Sequence, residues 1–154
     1  MTTKVIFHEL DTALTFESDA FTNTACEMVA QAYQLNKSVS ILCTNMKDAE
    51  SIDEVLWQRP ADKFIPHNLF NEGDGKASPV EIHALDSGDV IKNIKNTRCL
   101  INFSQQIPID SHVFQLIHEF VPADEACKAD ARKRYSQYKQ FGFQLTFLKS
   151  SDVE

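Results

Sequence analysis

The stretch SDAFTNTACEMVAQAYQLNKSVSILCT, residues 18–44, decides the fold class because two hydrophobic patterns follow each other within it. Its first part repeats apolar side chains at helical spacing, at Phe21, Ala25, Met28, Val29 and Ala32. Ser18 or Asp19 is suited to cap that helix. Its last part, SVSILCT, is a compact apolar run of strand length. A helix that leads directly into a buried strand is typical of α/β proteins.

The remainder of the chain repeats this alternation. Segments 46–58 and 123–142 have helical spacing, and they are expected to end near Pro60 and at Gly142. Strand-like segments are 4–10, 63–67, 79–85, 98–104, the residues before Pro122, and 143–149. Strands alternating with helices predict an α/β fold of three layers, α/β/α, with a mostly parallel central sheet. We expect residues 1–148 to form one domain and 149–154 a short polar tail.

Charge and composition limit the classes of function. The 154 residues carry 15 basic and 22 acidic side chains, which gives a net charge of -7. Tight direct binding to nucleic acid is disfavoured, because such affinity comes largely from cations that displace counterions from phosphates. There is no apolar run of ~18 residues, and the start, MTTKVIFHELD, reaches acidic residues too early for a secretory signal. We therefore expect a cytoplasmic protein without a membrane segment.

Nucleotide and metal motifs are missing from the sequence. The loop NEGDGKAS resembles a phosphate-binding loop, but Phe70 and Ala77 stand where a Walker loop needs glycine and Ser or Thr. The first strand is not followed by GxGxxG, the dinucleotide fingerprint. His118 precedes Glu119 without the second histidine of a zinc protease. We expect no cofactor.

An enzyme remains an alternative on the residues alone. His67, His118 or a buried cysteine could serve an α/β enzyme or a nucleotide-binding protein, because catalytic partners need not be close in sequence. The four cysteines, at 26, 43, 99 and 127, are far apart in sequence and are expected to be buried, reduced thiols.

The segment 123–142 carries a cationic patch. Lys128, Arg132 and Tyr135 have the spacing i, i+4 and i+7, which places them on one helix face. Two cations beside an aromatic wall suit a peptide that bears carboxylates and one apolar side chain, and Val121 could extend that wall. The alternative is a solvated basic half-helix that only complements the helix dipole. Further charge for steering an acidic ligand is expected from Lys133, Arg134 and Lys139.

A second candidate surface surrounds Pro60. Trp57 and Phe64 flank this proline, which is expected to end the helix and redirect the chain. Aromatic side chains at such a corner either anchor a partner or pack inward.

Several blocks together resemble one known family. They are DEVLWQRPADKFIPHNL (53–69), SPVEI (78–82), EFVP (119–122), the helix with the cationic patch, and FGF (141–143). Together they resemble the chi subunit of bacterial DNA polymerase III, and the resemblance keeps the same order of blocks from about residue 4 to 147. The loop 70–78 and the segment 83–98 differ in detail from that family, and residues 148–154 extend past its usual end.

The resemblance implies a Rossmann-like fold without a nucleotide-binding loop and a non-catalytic accessory subunit associated with the clamp loader. Such a subunit joins the psi subunit to the acidic C-terminal tail of single-stranded DNA-binding protein, so that it meets nucleic acid only indirectly. Trp57 and Phe64 match the family's psi-binding positions. Val121, Lys128, Arg132 and Tyr135 match its tail-binding positions. A repair helicase that uses the Trp57 surface is an alternative partner.

Overall fold

The computed structural model describes residues 3–11, 19–36, 38–58, 67–69, 80–85, 98–104, 106–107 and 111–149. Its strands are β1 (Lys4–Glu9), β2 (Val39–Cys43), β3 (His67–Leu69), β4 (Val80–Ala84), β5 (Cys99–Asn102), β6 (Leu116–Val121) and β7 (Gln144–Leu148). Its α-helices are α1 (Asp19–Asn36), α2 (Met46–Gln58) and α3 (Glu125–Gln140), and a single turn of 3-10 helix covers Ser111–Val113.

These strands form one sheet in the order β3-β4-β2-β5-β6-β1-β7, and every neighbouring pair is parallel. The predicted α/β class is confirmed, and the sheet is parallel throughout its described strands. Parallel strands with helices on both faces are buried on both sides, which explains why all five residues of β2 are buried.

Side chains alternate between two cores, one on each face of the sheet. On β2, Ile41 packs into the core that α1 and α2 cover, and Leu42 packs into the core that α3 covers. The first core also contains Phe21 and Ile52, and the second contains Tyr138. The arrangement is therefore the three-layer one that the sequence predicts.

The ends of α3 follow from local sequence. Asp124 caps its start, and the Asp124 Oδ1 accepts a hydrogen bond from the backbone N–H of Ala126 at 2.7 Å. At the other end Gly142 has a φ of 85°, a left-handed conformation that glycine adopts without strain. The Gly142 N–H bonds to the Lys139 carbonyl at 3.0 Å and the Phe143 N–H to the Tyr138 carbonyl at 3.3 Å, which is a Schellman ending. The prediction that Gly142 ends this helix is confirmed.

One strand differs from the sequence prediction within the described residues. The strand expected to end at residue 67 continues to Leu69, as His67–Leu69, and residues 63–66 lie outside the described residues. The segment before Pro122 begins with the 3-10 turn and leads into the predicted strand, which starts at Leu116. Among the described helices, none is long and apolar enough to cross a membrane.

Candidate functional site

A pocket opens where the carboxyl ends of β1, β6 and β7 meet the first half of α3. Parallel pairing places Glu9 of β1 beside Val121 of β6, and Phe7 of β1 beside Phe147 of β7. All four side chains lie on the α3 side of the sheet. The pocket has a volume of about 250 Å³ and is lined by Phe7, Glu9, Val121, Lys128, Ala131, Arg132, Tyr135 and Phe147.

All four residues predicted to bind an acidic tail line this pocket. Val121 is the last residue of β6, and Lys128, Arg132 and Tyr135 lie along α3. The structure thus brings them together, while their binding role stays a prediction.

The two cations of the pocket are differently engaged. The Lys128 Nζ lies 3.6 Å from Glu125 Oε1, a solvated i, i+3 pair whose carboxylate side chain is 84% exposed. Such surface pairs contribute little, so Lys128 can exchange this partner for a ligand at low cost. The exposed Arg132 makes no ion pair within the described part of the chain. The half-buried Glu9 also lines the pocket, so its lining holds two cations and one anion.

Aromatic rings form the apolar wall. The Tyr135 ring is 36% exposed and lies against the buried Phe7 ring, with 5.3 Å between centroids and 54° between planes. Phe147 is 44% exposed and lines the same pocket from the edge strand. Sequence reasoning missed Phe7, Glu9, Ala131 and Phe147. Their contribution depends on β1 lying between β6 and β7, an order that residue spacing alone does not reveal.

The expectation that Arg134 supplies steering charge is wrong. Arg134 is 4% exposed, and its Nε donates to Glu119 Oε1 at 3.1 Å. Its second guanidinium nitrogen donates to the Phe120 carbonyl at 3.2 Å. The reason is its position, because Ala131, Arg134 and Tyr138 form the inward stripe of α3. Lys133 and Lys139 are exposed as expected.

The partner of Arg134 is the centre of a buried polar network. Glu119 is fully buried, and its Oε2 accepts from the Tyr138 hydroxyl and from Asn102 Nδ2, both at 2.7 Å. Burial raises the pKa of Glu119, opposed by the Arg134 guanidinium and by these two donors. The pKa of Tyr138 is raised by burial and by the Glu119 charge. The network joins α3 to β5 and β6.

The DNA polymerase III chi subunit, HolC, is the family whose model matches residues 1–146. The chain belongs to this chi subunit family. It is 40% identical over 122 residues to DNA polymerase III subunit chi of Haemophilus influenzae. The aligned region covers 79% of this chain and 82% of the relative. Identity to the chi subunit of Escherichia coli is 34% over 140 residues, or 90% and 92% of the two chains. The Pseudomonas aeruginosa chi subunit is 28% identical over 143 residues, with 93% and 94% covered.

Membership in the chi family confirms the resemblance seen in the sequence. The family is a replication accessory subunit, so the chain belongs with the DNA polymerase III complex. The matched region contains both candidate surfaces except for Phe147, which lies one residue beyond it.

The second candidate surface is described only in part. Trp57 lies in the last turn of α2 with 60% of its surface exposed, so the inward-packing alternative for this side chain is wrong. Phe64, the other residue predicted at this surface, lies outside the described residues. The structure therefore does not relate the two aromatic side chains to each other.

Several of the residues considered for catalysis are buried. His8 Nε2 and His118 Nδ1 are 2.8 Å apart, so one ring donates its N–H to the other. Burial lowers the pKa of His8 to about 4 and that of His118 to about 3, with the His8 charge adding to the second shift. Burial raises the pKa of the Cys99 thiol to about 12, and that of Cys43 is raised by burial and by Asp48.

The remaining candidates are Cys26, Cys127 and His67. Cys26 is buried and Cys127 is half-buried, and no disulfide involves the four cysteines. The prediction of buried thiols is thus confirmed for three of them. Among the described residues, no three His, Cys, Asp or Glu side chains are grouped as metal ligands. The side chain of His67 lies outside the described residues.

Proposed function

We propose that this chi-family chain is an adaptor between the psi subunit of the clamp-loader assembly and the acidic C-terminal tail of single-stranded DNA-binding protein. It holds both partners in the cytoplasm without chemistry of its own. The observation that carries the proposal is the single pocket in which Val121, Lys128, Arg132 and Tyr135 converge.

The chemistry of the pocket suits the end of an acidic peptide. Arg132 presents a planar fork that binds a carboxylate through two hydrogen bonds, and Lys128 adds a second charge one helical turn away. The rings of Tyr135 and Phe147 give an apolar side chain a wall to pack against. The volume, about 250 Å³, is below the roughly 300–1,000 Å³ typical of small-molecule sites. One side chain and its carboxylate fit better than a whole nucleotide.

Tethering explains how a modest affinity suffices. Each tail needs a Kd of only about 1 µM, or about -8 kcal/mol, since many tails on a coated strand raise the local concentration. The acidic chain gains access to DNA through its partner, which agrees with its net charge of -7. The polymerase complex is thereby held near single-stranded template.

Arg132→Ala tests the tail-binding pocket. We expect a loss of about 1.5–3 kcal/mol, since a hydrogen bond to a charged group is removed. Affinity for a fluorescent peptide from the host's own single-stranded DNA-binding protein should fall about 10- to 150-fold in an anisotropy titration. The whole DNA-binding protein without its last residues should not bind.

Lys139→Ala is the matched control. This exposed residue lies in the last turn of α3, outside the pocket lining, and its loss changes the net charge equally. Its affinity should stay within about twofold of the unchanged protein, since a rim charge mainly affects association rate. An Arg132→Ala protein that binds as tightly as this control would remove Arg132 from the site.

Trp57→Ala tests the psi surface. An interface tryptophan typically contributes at least about 2 kcal/mol, so binding to purified psi should weaken about 30-fold in calorimetry. Leu35→Ala is the control, because Leu35 is 83% exposed on α1 and is also a large apolar side chain. Equal psi affinity of the two variants would place psi elsewhere. If a repair helicase shares this surface, it will compete with psi for the unchanged protein.

A further inference from the structure

Glu9 is the acidic side chain among the described residues that line the pocket. It is the last residue of β1, and the strand register places it beside Val121 of β6. The Leu10 N–H donates to the Val121 carbonyl at 2.9 Å, so the pairing of the two strands continues past Glu9 and holds its backbone. Because side chains alternate along a strand, Glu9 lies on the same face as Phe7, which packs into the core under α3. The carboxylate of Glu9 therefore belongs to the wall of the pocket.

The charges of the described lining do not cancel. Lys128 and Arg132 contribute two positive charges and Glu9 one negative charge, which leaves one positive charge in excess. Glu125, the ion-pair partner of Lys128, is not part of the lining. A ligand with one carboxylate thus makes the occupied pocket neutral. A ligand that brings two carboxylates leaves one negative charge without a counter-charge.

The pocket is too small to keep a second carboxylate away from Glu9. Its volume of about 250 Å³ corresponds to a width of roughly 8 Å, which does not exceed the Debye length of ~8 Å at physiological salt. Salt therefore screens charges within the pocket only weakly. For two negative charges ~6 Å apart at an effective dielectric constant of about 40, between those of water and a protein surface, repulsion weakens binding about tenfold.

We propose that Glu9 is a specificity-determining residue of this pocket. It admits a peptide end that has one carboxylate and an uncharged last side chain, and it rejects an end whose last side chain is also a carboxylate. The two cations by themselves would attract both kinds of end, so a repulsive group is needed to separate them. Carboxylates further upstream in the peptide stay outside the pocket, where solvent screens them. The inference rests on the proposed function in one respect, that the pocket takes the end of an acidic peptide.

The test uses two fluorescent acidic peptides of the same sequence, one ending in Gln and the other in Glu. The two last side chains have nearly the same shape, so the ratio of the two Kd values measures discrimination by charge alone. In an anisotropy titration of the unchanged protein, the Glu-ended peptide should bind more weakly than the Gln-ended peptide. In Glu9→Gln the ratio of Kd values, Glu-ended over Gln-ended, should fall about tenfold.

Two control variants accompany Glu9→Gln. Glu125→Gln removes the same charge from an exposed side chain beside Lys128 that does not line the pocket. Its ratio should stay within about twofold of the unchanged protein, because exposed charges are screened. Glu9→Asp keeps the charge at the end of β1 and should keep most of the discrimination. The preference of the unchanged protein decides the matter even if Glu9→Gln does not fold.

Three results would overturn the inference: equal affinity of the unchanged protein for the two peptides, an unchanged ratio in Glu9→Gln, or an equally large change in Glu125→Gln. The third would mean that overall charge, and not Glu9, sets the ratio. The host tail peptide separates this inference from the proposed function. If that peptide binds while the ratio does not depend on Glu9, only this inference fails. If it does not bind while the Gln-ended peptide binds with Glu9-dependent discrimination, only the proposed function fails, and a protein that binds none of the peptides contradicts both.

Discussion

Replacing Arg134 by Met tests whether the buried network holds α3 on the sheet. Arg134 and Glu119 are 4% and 0% exposed. The change leaves the Glu119 carboxylate buried with only Tyr138 and Asn102 as donors. Leaving a buried charge without its ionic partner typically costs about 3–5 kcal/mol. Since total stability is about 5–15 kcal/mol, a large share of it should be lost.

The assay is equilibrium unfolding in urea, with thermal unfolding beside it. For a domain of this size, each kcal/mol lowers the Tm by about 2–4 °C, so we expect a fall of about 6–20 °C. Arg132→Met is the matched control, because it removes the same charge from an exposed position two residues earlier. That control should change the free energy of unfolding by less than about 0.5 kcal/mol.

A second variant isolates the charge pair. Arg134→Met combined with Glu119→Gln removes the buried anion as well as the cation, so about 1–3 kcal/mol of the loss should return. Two results would refute the reasoning: a loss below about 1 kcal/mol in Arg134→Met, or a double variant no more stable than that single one. The first result would mean that apolar packing alone fixes α3, and the second that the loss does not come from the unpaired Glu119 charge.

Acid should destabilise the protein through its buried histidines. The folded pKa values of His8 and His83 are lowered to about 4. The unfolded chain therefore binds more protons below about pH 6.5, and stability falls as pH falls toward 4. We expect the free energy of unfolding, measured in urea, to fall by about 2 kcal/mol per histidine between pH 7 and 5. An unchanged free energy of unfolding would contradict the buried, neutral state of these histidines. Gly142→Ala should lower the free energy of unfolding by about 1 kcal/mol, because φ is 85° while no atom obstructs the added Cβ. Gly142→Asn should lower it by less in the same assay. Equal losses in the two variants would indicate a steric cause.

Much of the fold could be predicted from local patterns. The bounds of α2, 46–58, agree with the helical spacing of its apolar residues, and Gly142 ends α3 as expected. Both signals are local, since helix spacing and a left-handed residue do not depend on the rest of the chain. The strand predicted at 63–67 ends two residues before the end of His67–Leu69, because a proline-bounded apolar run gives no register until its neighbour β4 is known.

Apart from Val121 of β6, the candidate site was predictable only on its helical side. The spacing of Lys128, Arg132 and Tyr135 fixes their common face, whereas Phe7 and Phe147 join them through the order of strands. Arg134 was misjudged because charge alone does not distinguish an exposed cation from a paired one. Two signals were present in the sequence: its helical spacing from Ala131 and Tyr138, and an acidic residue, Glu119, within an apolar strand.

Because β1 pairs with β7, the pocket is completed only after nearly the whole chain has been synthesised. Phe7 is synthesised near the beginning, but its strand partner Phe147 follows roughly 140 residues later. At about 5–20 residues per second, the ribosome needs roughly 7–30 s to supply it. Nascent chains that stall before Gln144 lack one wall of the pocket. Under the proposed function, capture of a partner there therefore requires that β7 has already joined the sheet.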